Sequence, residues 1–153
     1  MANEQMKPKT VLASGVFDLL HLGHVRYLEE ARKIGGASAK LVVIVARDST
    51  VLKRRGVAPI MPEDQRVALV ESLKVVDKAV LGHEDFDMGK IIEEVKPDVI
   101  ALGYDRSDLE EEAKDYVKKH GMKTLVVKVG KFDEAELNSS SKIKQRIIEQ
   151  LRR

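Results

Sequence analysis

Two histidines, His21 and His24, stand three residues apart with Gly23 between them. An imidazole can donate a hydrogen bond to a phosphate oxygen or carry positive charge toward a forming oxyanion, so a pair of them suits phosphate chemistry. Residues three apart share one face of a helix, and a glycine lets a ligand approach closely. Local capping or packing is the alternative for each ring. Zinc binding is disfavoured, because the chain has no cysteine and the spacing is not that of His-Glu-x-x-His.

A strand and a helix must position this pair. The apolar run at 10–14 predicts a buried strand, and residues 25–34 carry apolar side chains at helical spacing before a Gly-Gly break at 35–36. A strand-to-helix turn that contains glycines directs backbone N–H groups and the positive end of the helix dipole at one point. The sequence therefore predicts a phosphate site in this turn.

Strands and helices are predicted to alternate along the whole chain. The predicted strands are 10–14, 40–46, 77–82, 98–102 and 123–129, and the predicted helices are 25–34, 63–73, 88–95, 108–120 and 138–151. Apolar strands separated by helices are typical of a parallel sheet covered on both faces. We expect an α/β fold, a Rossmann-like three-layer α/β/α sandwich with a five-stranded parallel sheet. The first turn lacks Gly-x-Gly-x-x-Gly, which disfavours dinucleotide oxidoreductases.

Other polar groups follow the predicted strands, at the sheet edge where ligands of such folds bind. A basic loop, 53–56, contains Lys53, and Arg66 lies in the first turn of a helix, where it either points at the site or pairs with a neighbouring acid. Asp105 follows a strand-ending glycine and is suited to accept hydrogen bonds from a ribose or base. Ser140 and Ser141 either start the last helix or bind phosphate there.

Length and composition bound the function. With 153 residues, 43% of them hydrophobic, residues 1–153 suit a single domain. The 27 Lys and Arg nearly balance the 25 Asp and Glu, which argues against general nucleic-acid binding. Residues 1–9 are polar and no run approaches membrane-spanning length, so we expect a soluble, cytoplasmic protein.

The pattern Gly-x-Phe-Asp-x-x-His-x-Gly-His at 15–24 resembles the signature of the nucleotidyltransferase superfamily, which includes the cytidylyltransferases and phosphopantetheine adenylyltransferase. The resemblance implies that His21 and His24 are catalytic, binding the nucleotide phosphates and stabilising the transition state. Asp18 would orient the loop, help to hold a metal or be structural. The nucleotide-binding residues implied by the resemblance and by the strand ends are Val16, Phe17, His21, Leu22, Gly23, His24, Asp105, Ser140 and Ser141.

Within the superfamily, 46–48, the basic loop and Pro-Ile-Met-Pro-Glu-Asp-Gln-Arg at 59–66 resemble the archaeal FAD synthases. The stretch before the last helix has serines but lacks the arginine and Gly-Ile of the cytidylyltransferase motif. The resemblance implies ATP and FMN as substrates, Mg²⁺ or another divalent metal as cofactor, and a homodimer. Lys53 and Arg66 would steady FMN phosphate or pyrophosphate. A glycerol-3-phosphate cytidylyltransferase and a non-catalytic nucleotide-binding module are the alternatives.

Overall fold

Five parallel strands form one sheet in the computed structural model of the chain, which describes residues 7–132 and 136–153. The strands are β1 (Thr10–Gly15), β2 (Lys40–Val45), β3 (Lys78–Leu81), β4 (Val99–Leu102) and β5 (Leu125–Lys128). Their spatial order is β3-β2-β1-β4-β5, and every neighbouring pair is parallel. The predicted five-stranded parallel sheet is confirmed.

Helices cover both faces of this sheet. They are α1 (Leu22–Ile34), α2 (Asp48–Arg55), α3 (Glu63–Glu71), α4 (Met88–Val95), α5 (Ser107–Lys119) and α6 (Ser140–Leu151). Leu28 of α1 and Val70 of α3 pack into one apolar cluster, while Ile92 of α4 and Leu109 of α5 pack into a second cluster on the opposite face. The three-layer α/β/α arrangement is therefore confirmed. No helix within the described ranges is long and apolar enough to cross a membrane.

The strand order reverses at β1, and this reversal positions the site. The chain runs outward from β1 to β2 and β3, then returns so that β4 lies on the other side of β1. The connections leaving β1 and β4 therefore diverge to opposite faces and open a crevice at the carboxyl ends of these strands. The predicted phosphate turn leaves β1 at this crevice.

The largest departures from the predicted helices are at the start of α1 and in the segment that follows β2. Helix α1 begins at Leu22 rather than at residue 25, because His21 takes extended backbone angles and acts as its N-cap. The predicted basic loop at 53–56 is the end of α2, whose basic last turn complements the helix dipole and whose chain leaves through Gly56 at a left-handed φ of 76°. Periodicity missed α2 because it has eight residues and buries only Val51.

Replacing Leu28 with alanine tests the packing of α1 on the sheet. Leu28 is fully buried in the cluster under α1, so Leu28→Ala is expected to lower the free energy of unfolding by about 2–5 kcal/mol through lost burial and a cavity. Urea unfolding measures this change. Leu69→Ala is the matched control, because Leu69 is 40% exposed on α3 and its loss should cost no more than about 0.5 kcal/mol. Equal losses in the two variants would contradict the packing described.

Candidate functional site

The segment from Val16 to His24, called here the histidine turn, connects β1 to α1 at the crevice. It leaves the carboxyl end of β1 and enters the first turn of α1, so its backbone faces the positive end of that helix. Both predicted catalytic histidines lie in this segment. A phosphate placed here would meet helix N–H groups and two imidazoles together.

The two imidazole rings stack on each other, with centroids 3.8 Å apart and planes inclined by 26°. Nδ1 of His24 accepts a hydrogen bond from the backbone N–H of His21 at 3.2 Å. His24 thus fills the helix position from which a Glu or Gln side chain commonly caps the start of a helix. Because Nδ1 is an acceptor, the neutral ring carries its proton on Nε2. His24 therefore offers an N–H donor from the ring atom that the cap leaves available.

Both histidines are held neutral near pH 7 by their surroundings. Burial, then the neighbouring His21, lowers the pKa of His24 to about 3, and the Asp18 carboxylate opposes this only in part. Burial also lowers the pKa of His21. The positive charge that the sequence suggested for these rings is therefore absent near pH 7, and each neutral ring has one N–H to donate.

Phe17 and Gly23 shape the turn from inside. Phe17 is 1% exposed, and its ring centroid lies 5.2 Å from that of His24. Its side chain belongs to the core, so the predicted contact of Phe17 with a nucleotide would have to come from its backbone, and it stays a prediction. A Cβ on Gly23 would come within 2.8 Å of the backbone oxygen of Asn138 and of the His21 ring. Glycine is needed there because the chain entering α6 packs directly against the histidine turn.

Asp18 orients a neighbouring loop. Its carboxylate is 3% exposed and accepts hydrogen bonds from the backbone N–H groups of Ile60 at 2.7 Å and Met61 at 3.1 Å. Of the roles left open for Asp18, the structure supports orientation of the loop. The segment between α2 and α3 is thereby fixed to the histidine turn.

Arg66 is fully buried and binds the protein itself. Its Nε donates to the Met61 carbonyl at 2.9 Å, and Nη1 donates to the carbonyls of Val16 at 2.8 Å and Ala46 at 2.7 Å. Nη2 donates to the Asp48 carboxylate at 2.6 Å. The structure therefore corrects the expected phosphate contact: the guanidinium positions the histidine turn, the end of β2 and the loop before α3.

Asp48 and Glu63 join the starts of α2 and α3 in a reciprocal cap that the sequence did not reveal. The Glu63 carboxylate accepts from the Asp48 N–H at 2.7 Å, and the Asp48 carboxylate accepts from the Glu63 N–H at 3.3 Å. Each acid also lies in the first turn of its own helix, where the dipole favours negative charge. Asp48 and Glu63 are fifteen residues apart along the chain, so a search for local capping patterns could not predict this contact.

The connection after β4 forms the opposite wall of the crevice. Asp105 is exposed there, and its carboxylate folds toward Gly103, 3.2 Å from where a Cβ on that glycine would lie. Arg106 donates through Nε and Nη2 to the two carboxylate oxygens of Asp108 at 3.0 and 2.9 Å, and this pairing lowers the pKa of Asp108 to about 2. Tyr27 ties α1 to this wall, because its hydroxyl donates to the Ala101 carbonyl at 2.6 Å.

The start of α6 also contacts the histidine turn. Ser139 is the N-cap and accepts from the Lys142 N–H at 3.2 Å, while the Ser140 hydroxyl donates to the Leu19 carbonyl at 3.0 Å. The structure thus places Ser140 against the histidine turn, with Ser141 exposed beside it in the first turn of α6. Lys53 lies on α2 in an exposed ion pair with Asp85, at 3.4 Å.

This chain is similar to known proteins over most of its length. The cytidylyltransferase-like family model matches residues 12–146. The FAD synthase of Thermoplasma volcanium is 50% identical over 139 residues, covering 91% of this chain and 94% of that protein. The FAD synthase of Aciduliprofundum boonei is 51% identical over 141 residues, covering 92% and 91%. A crystal structure from Thermoplasma volcanium GSS1, described as a lipopolysaccharide core biosynthesis protein, is 47% identical with a TM-score of 0.70, covering 82% of this chain and 98% of that one.

Replacing His24 with glutamine tests its buried neutral state. In the unfolded chain His24 binds a proton once the pH falls below its ordinary pKa of about 6.5, whereas in the folded chain its pKa is about 3 and the ring stays neutral. The free energy of unfolding therefore falls as the pH falls from about 6.5 toward 3. His24→Gln keeps a capping side chain without this titration. Unfolding in urea at pH 7 and pH 5 should show the native protein losing up to about 1.4 kcal/mol more per pH unit than the variant. If the native protein and His24→Gln lost the same free energy of unfolding between pH 7 and pH 5, the burial of a neutral His24 ring would be contradicted.

Replacing Arg66 with lysine separates a positioning role from phosphate binding. Lysine keeps the charge but cannot reproduce the planar fork that reaches four protein oxygens. We expect Arg66→Lys to lower the free energy of unfolding by about 3 kcal/mol or more, since buried carbonyls and a carboxylate lose their donors. Arg55→Lys, at an exposed position of α2, is the control. If Arg66→Lys left the free energy of unfolding unchanged and only raised the KM, Arg66 would be a substrate contact as the sequence suggested.

Proposed function

Because the chain belongs to the cytidylyltransferase-like family, we propose that it is an FAD synthase, which transfers AMP from ATP to FMN and releases pyrophosphate. The proposal is carried by sequence identity of about 50% to archaeal proteins named FAD synthase. Each alignment covers more than nine tenths of this chain and of the related protein. The histidine turn supports it, because it combines helix N–H groups with imidazole donors at the carboxyl edge of the sheet.

The proposed reaction is an in-line displacement at the α-phosphorus of ATP. An oxygen of the FMN phosphate forms a bond to that phosphorus while the bond to the oxygen bridging the α- and β-phosphorus atoms breaks, and pyrophosphate leaves with the bonding electrons. The FMN phosphate is already anionic, so no protein base has to remove a proton from it. The protein needs only to align the two phosphates and stabilise charge on the oxygens of the transition state.

His24 is the residue best placed for this stabilisation. Its Nδ1 is fixed by the His21 N–H, which leaves Nε2–H as the donor toward a phosphate oxygen. Because this N–H group is already oriented and partly shielded from water, it can stabilise developing negative charge without first reorganising. A bound triphosphate would also raise the pKa of both rings, because negative charge favours the imidazolium form.

We propose that Mg²⁺ enters with ATP. Mg²⁺ prefers oxygen ligands and commonly takes one or two carboxylates together with substrate phosphates. The Asp18 carboxylate already accepts two backbone hydrogen bonds, and no group of three or more metal-ligating side chains occurs among residues 7–132 and 136–153. The residues at the site therefore fit a metal whose ligands come chiefly from the triphosphate, where it would neutralise charge on the leaving pyrophosphate.

A homodimer is also proposed, as the superfamily resemblance implies. Helix α6 carries apolar side chains that the protomer leaves exposed, with Ile147 at 44%, Ile148 at 42% and Leu151 at 81% exposure. Such a stripe is typical of a surface that another protein surface covers. Sedimentation velocity of the native protein and of Ile148→Ser tests it: a dimer that dissociates in the variant supports this face, and a native monomer refutes the dimer.

Product analysis tests the proposed reaction. With MgATP and FMN the protein should release pyrophosphate and yield FAD, identified by chromatography, whereas CTP with glycerol 3-phosphate should yield no product. The reverse result would identify a glycerol-3-phosphate cytidylyltransferase. Nucleotide binding without pyrophosphate release from either mixture would indicate a non-catalytic module.

Replacing His24 with alanine tests its assigned role. His24→Ala removes the oriented donor and is expected to lower kcat about 10²-fold or more, with the fold retained by circular dichroism. His83→Ala is the matched control, because His83 lies in the connection between β3 and α4 and pairs with Glu94 at 3.0 Å, and it should keep full activity. Full activity in His24→Ala would remove the role assigned to this ring.

A further inference from the structure

A tyrosine hydroxyl lies between β1 and β4 at the point where the pairing of these strands ends. The pairing of β1 with β2 continues to Gly15 and Val45. The pairing of β1 with β4 ends earlier, at Ala13 and Ala101. At this end the hydroxyl of Tyr27, a residue of α1, donates to the Ala101 carbonyl at 2.6 Å. The crevice between β1 and β4 therefore opens beside a side chain of the helix that follows the histidine turn.

The Tyr27 hydroxyl connects the two strands because it both accepts and donates a hydrogen bond. It accepts from the Ser14 backbone N–H at 3.3 Å. Its single proton goes to the Ala101 carbonyl, since the Ser14 carbonyl is farther away, at 3.4 Å. Burial raises the pKa of Tyr27 above its ordinary value, so the hydroxyl keeps the proton that it donates. A backbone donor of β1 is thus joined to a backbone acceptor of β4 through α1.

The same hydrogen bonds restrain the helix end of the histidine turn. Tyr27 lies three residues after His24 on α1, and residues at this spacing share one face of a helix. Leu28 holds the helix on the sheet through apolar contacts, which have no preferred direction. The hydrogen bonds of Tyr27 are directional, so they restrain the rotation of α1 about its axis. Arg66 holds the other end of the turn, through the Val16 carbonyl.

We propose that Tyr27 is a positioning residue for AMP transfer and that it acts through His24. This inference rests on the proposed function. The Nε2–H of His24 stabilises the transition state only while the first turn of α1 keeps its place at the crevice, and a misplacement of about 1 Å can cost about 10²-fold in rate. Tyr27 maintains that place because it ties α1 to both strands that border the crevice. The alternative is a purely structural role, in which the hydroxyl only stabilises the fold.

Tyr27→Phe removes the hydroxyl and keeps the ring. It is expected to lower kcat about tenfold while the KM for ATP and for FMN stay within about twofold, because an oriented donor matters most in the transition state. Tyr116→Phe is the matched control and should keep full activity. It also removes a hydroxyl that donates at 2.6 Å, to Glu93, but Tyr116 lies on α5 and packs against the apolar cluster on the other face of the sheet.

The same substitution in His24→Ala separates positioning from stability. If Tyr27 acts through His24, adding Tyr27→Phe should lower the kcat of His24→Ala by less than about twofold, because the donor that it positions is already gone. A purely structural role predicts the same fold-decrease in both proteins. Each kcat is expressed per folded protein, with the folded fraction measured by circular dichroism.

A second readout does not require turnover. Nitrogen-15 spectra of histidine-labelled native protein should show His24 protonated on Nε2, because its Nδ1 accepts from the His21 N–H. In Tyr27→Phe the first turn of α1 loses a restraint, so the His24 signals should move toward the average of the two neutral tautomers. In Tyr116→Phe they should stay in place.

Four results would overturn the assignment. Full activity in Tyr27→Phe would remove the positioning role, and a raised KM for ATP with unchanged kcat would assign the hydroxyl to nucleotide binding. An equal fall of kcat in the native and His24→Ala proteins would make Tyr27 purely structural. Unmoved His24 signals in Tyr27→Phe would separate the hydroxyl from the ring. Failure of the native protein to form FAD would instead refute the proposed function, and the nitrogen-15 comparison would still test the link between the two residues.

Discussion

A single buried guanidinium holds the site together. Arg66 has no exposed surface, and its fork reaches the carbonyls of Val16 and Ala46, a carboxylate of α2 and the loop before α3. Burying a charge is costly unless it is fully hydrogen-bonded, so these oxygens must stay in place for the fold to persist. Arg66 thereby holds the ends of β1 and β2 at a fixed separation, and this fixes the position of the histidine turn that follows β1.

The same preference for buried, satisfied polar groups sets the state of the histidines. His24 uses one ring nitrogen to cap α1, and burial beside His21 keeps both rings uncharged. Each neutral ring has one N–H to donate, and a phosphate bound beside the rings would raise the pKa of both.

The sequence predicted the fold better than it predicted the contacts within the site. Apolar runs and helical spacing located all the strands in the described residues, and the pattern at 15–24 located the histidine turn. The errors lie where distant residues meet. Arg66 looked like a phosphate ligand because its first-turn position was visible but the carbonyls of Val16 and Ala46 around it were not. The sequence also did not show that the Phe17 side chain packs in the core, where it leaves only the backbone of that residue for the predicted nucleotide contact.

The central claim is that His24 is a neutral ring whose Nε2–H meets the nucleotide phosphates. Nitrogen-15 spectra of histidine-labelled protein at pH 7, with and without MgATP, test it directly, with His24→Gln used to assign the resonance. We expect a neutral His24 protonated on Nε2 without nucleotide, and a large shift of that nitrogen when MgATP binds. A ring protonated on Nδ1, or an Nε2 resonance unmoved by saturating nucleotide, would contradict it.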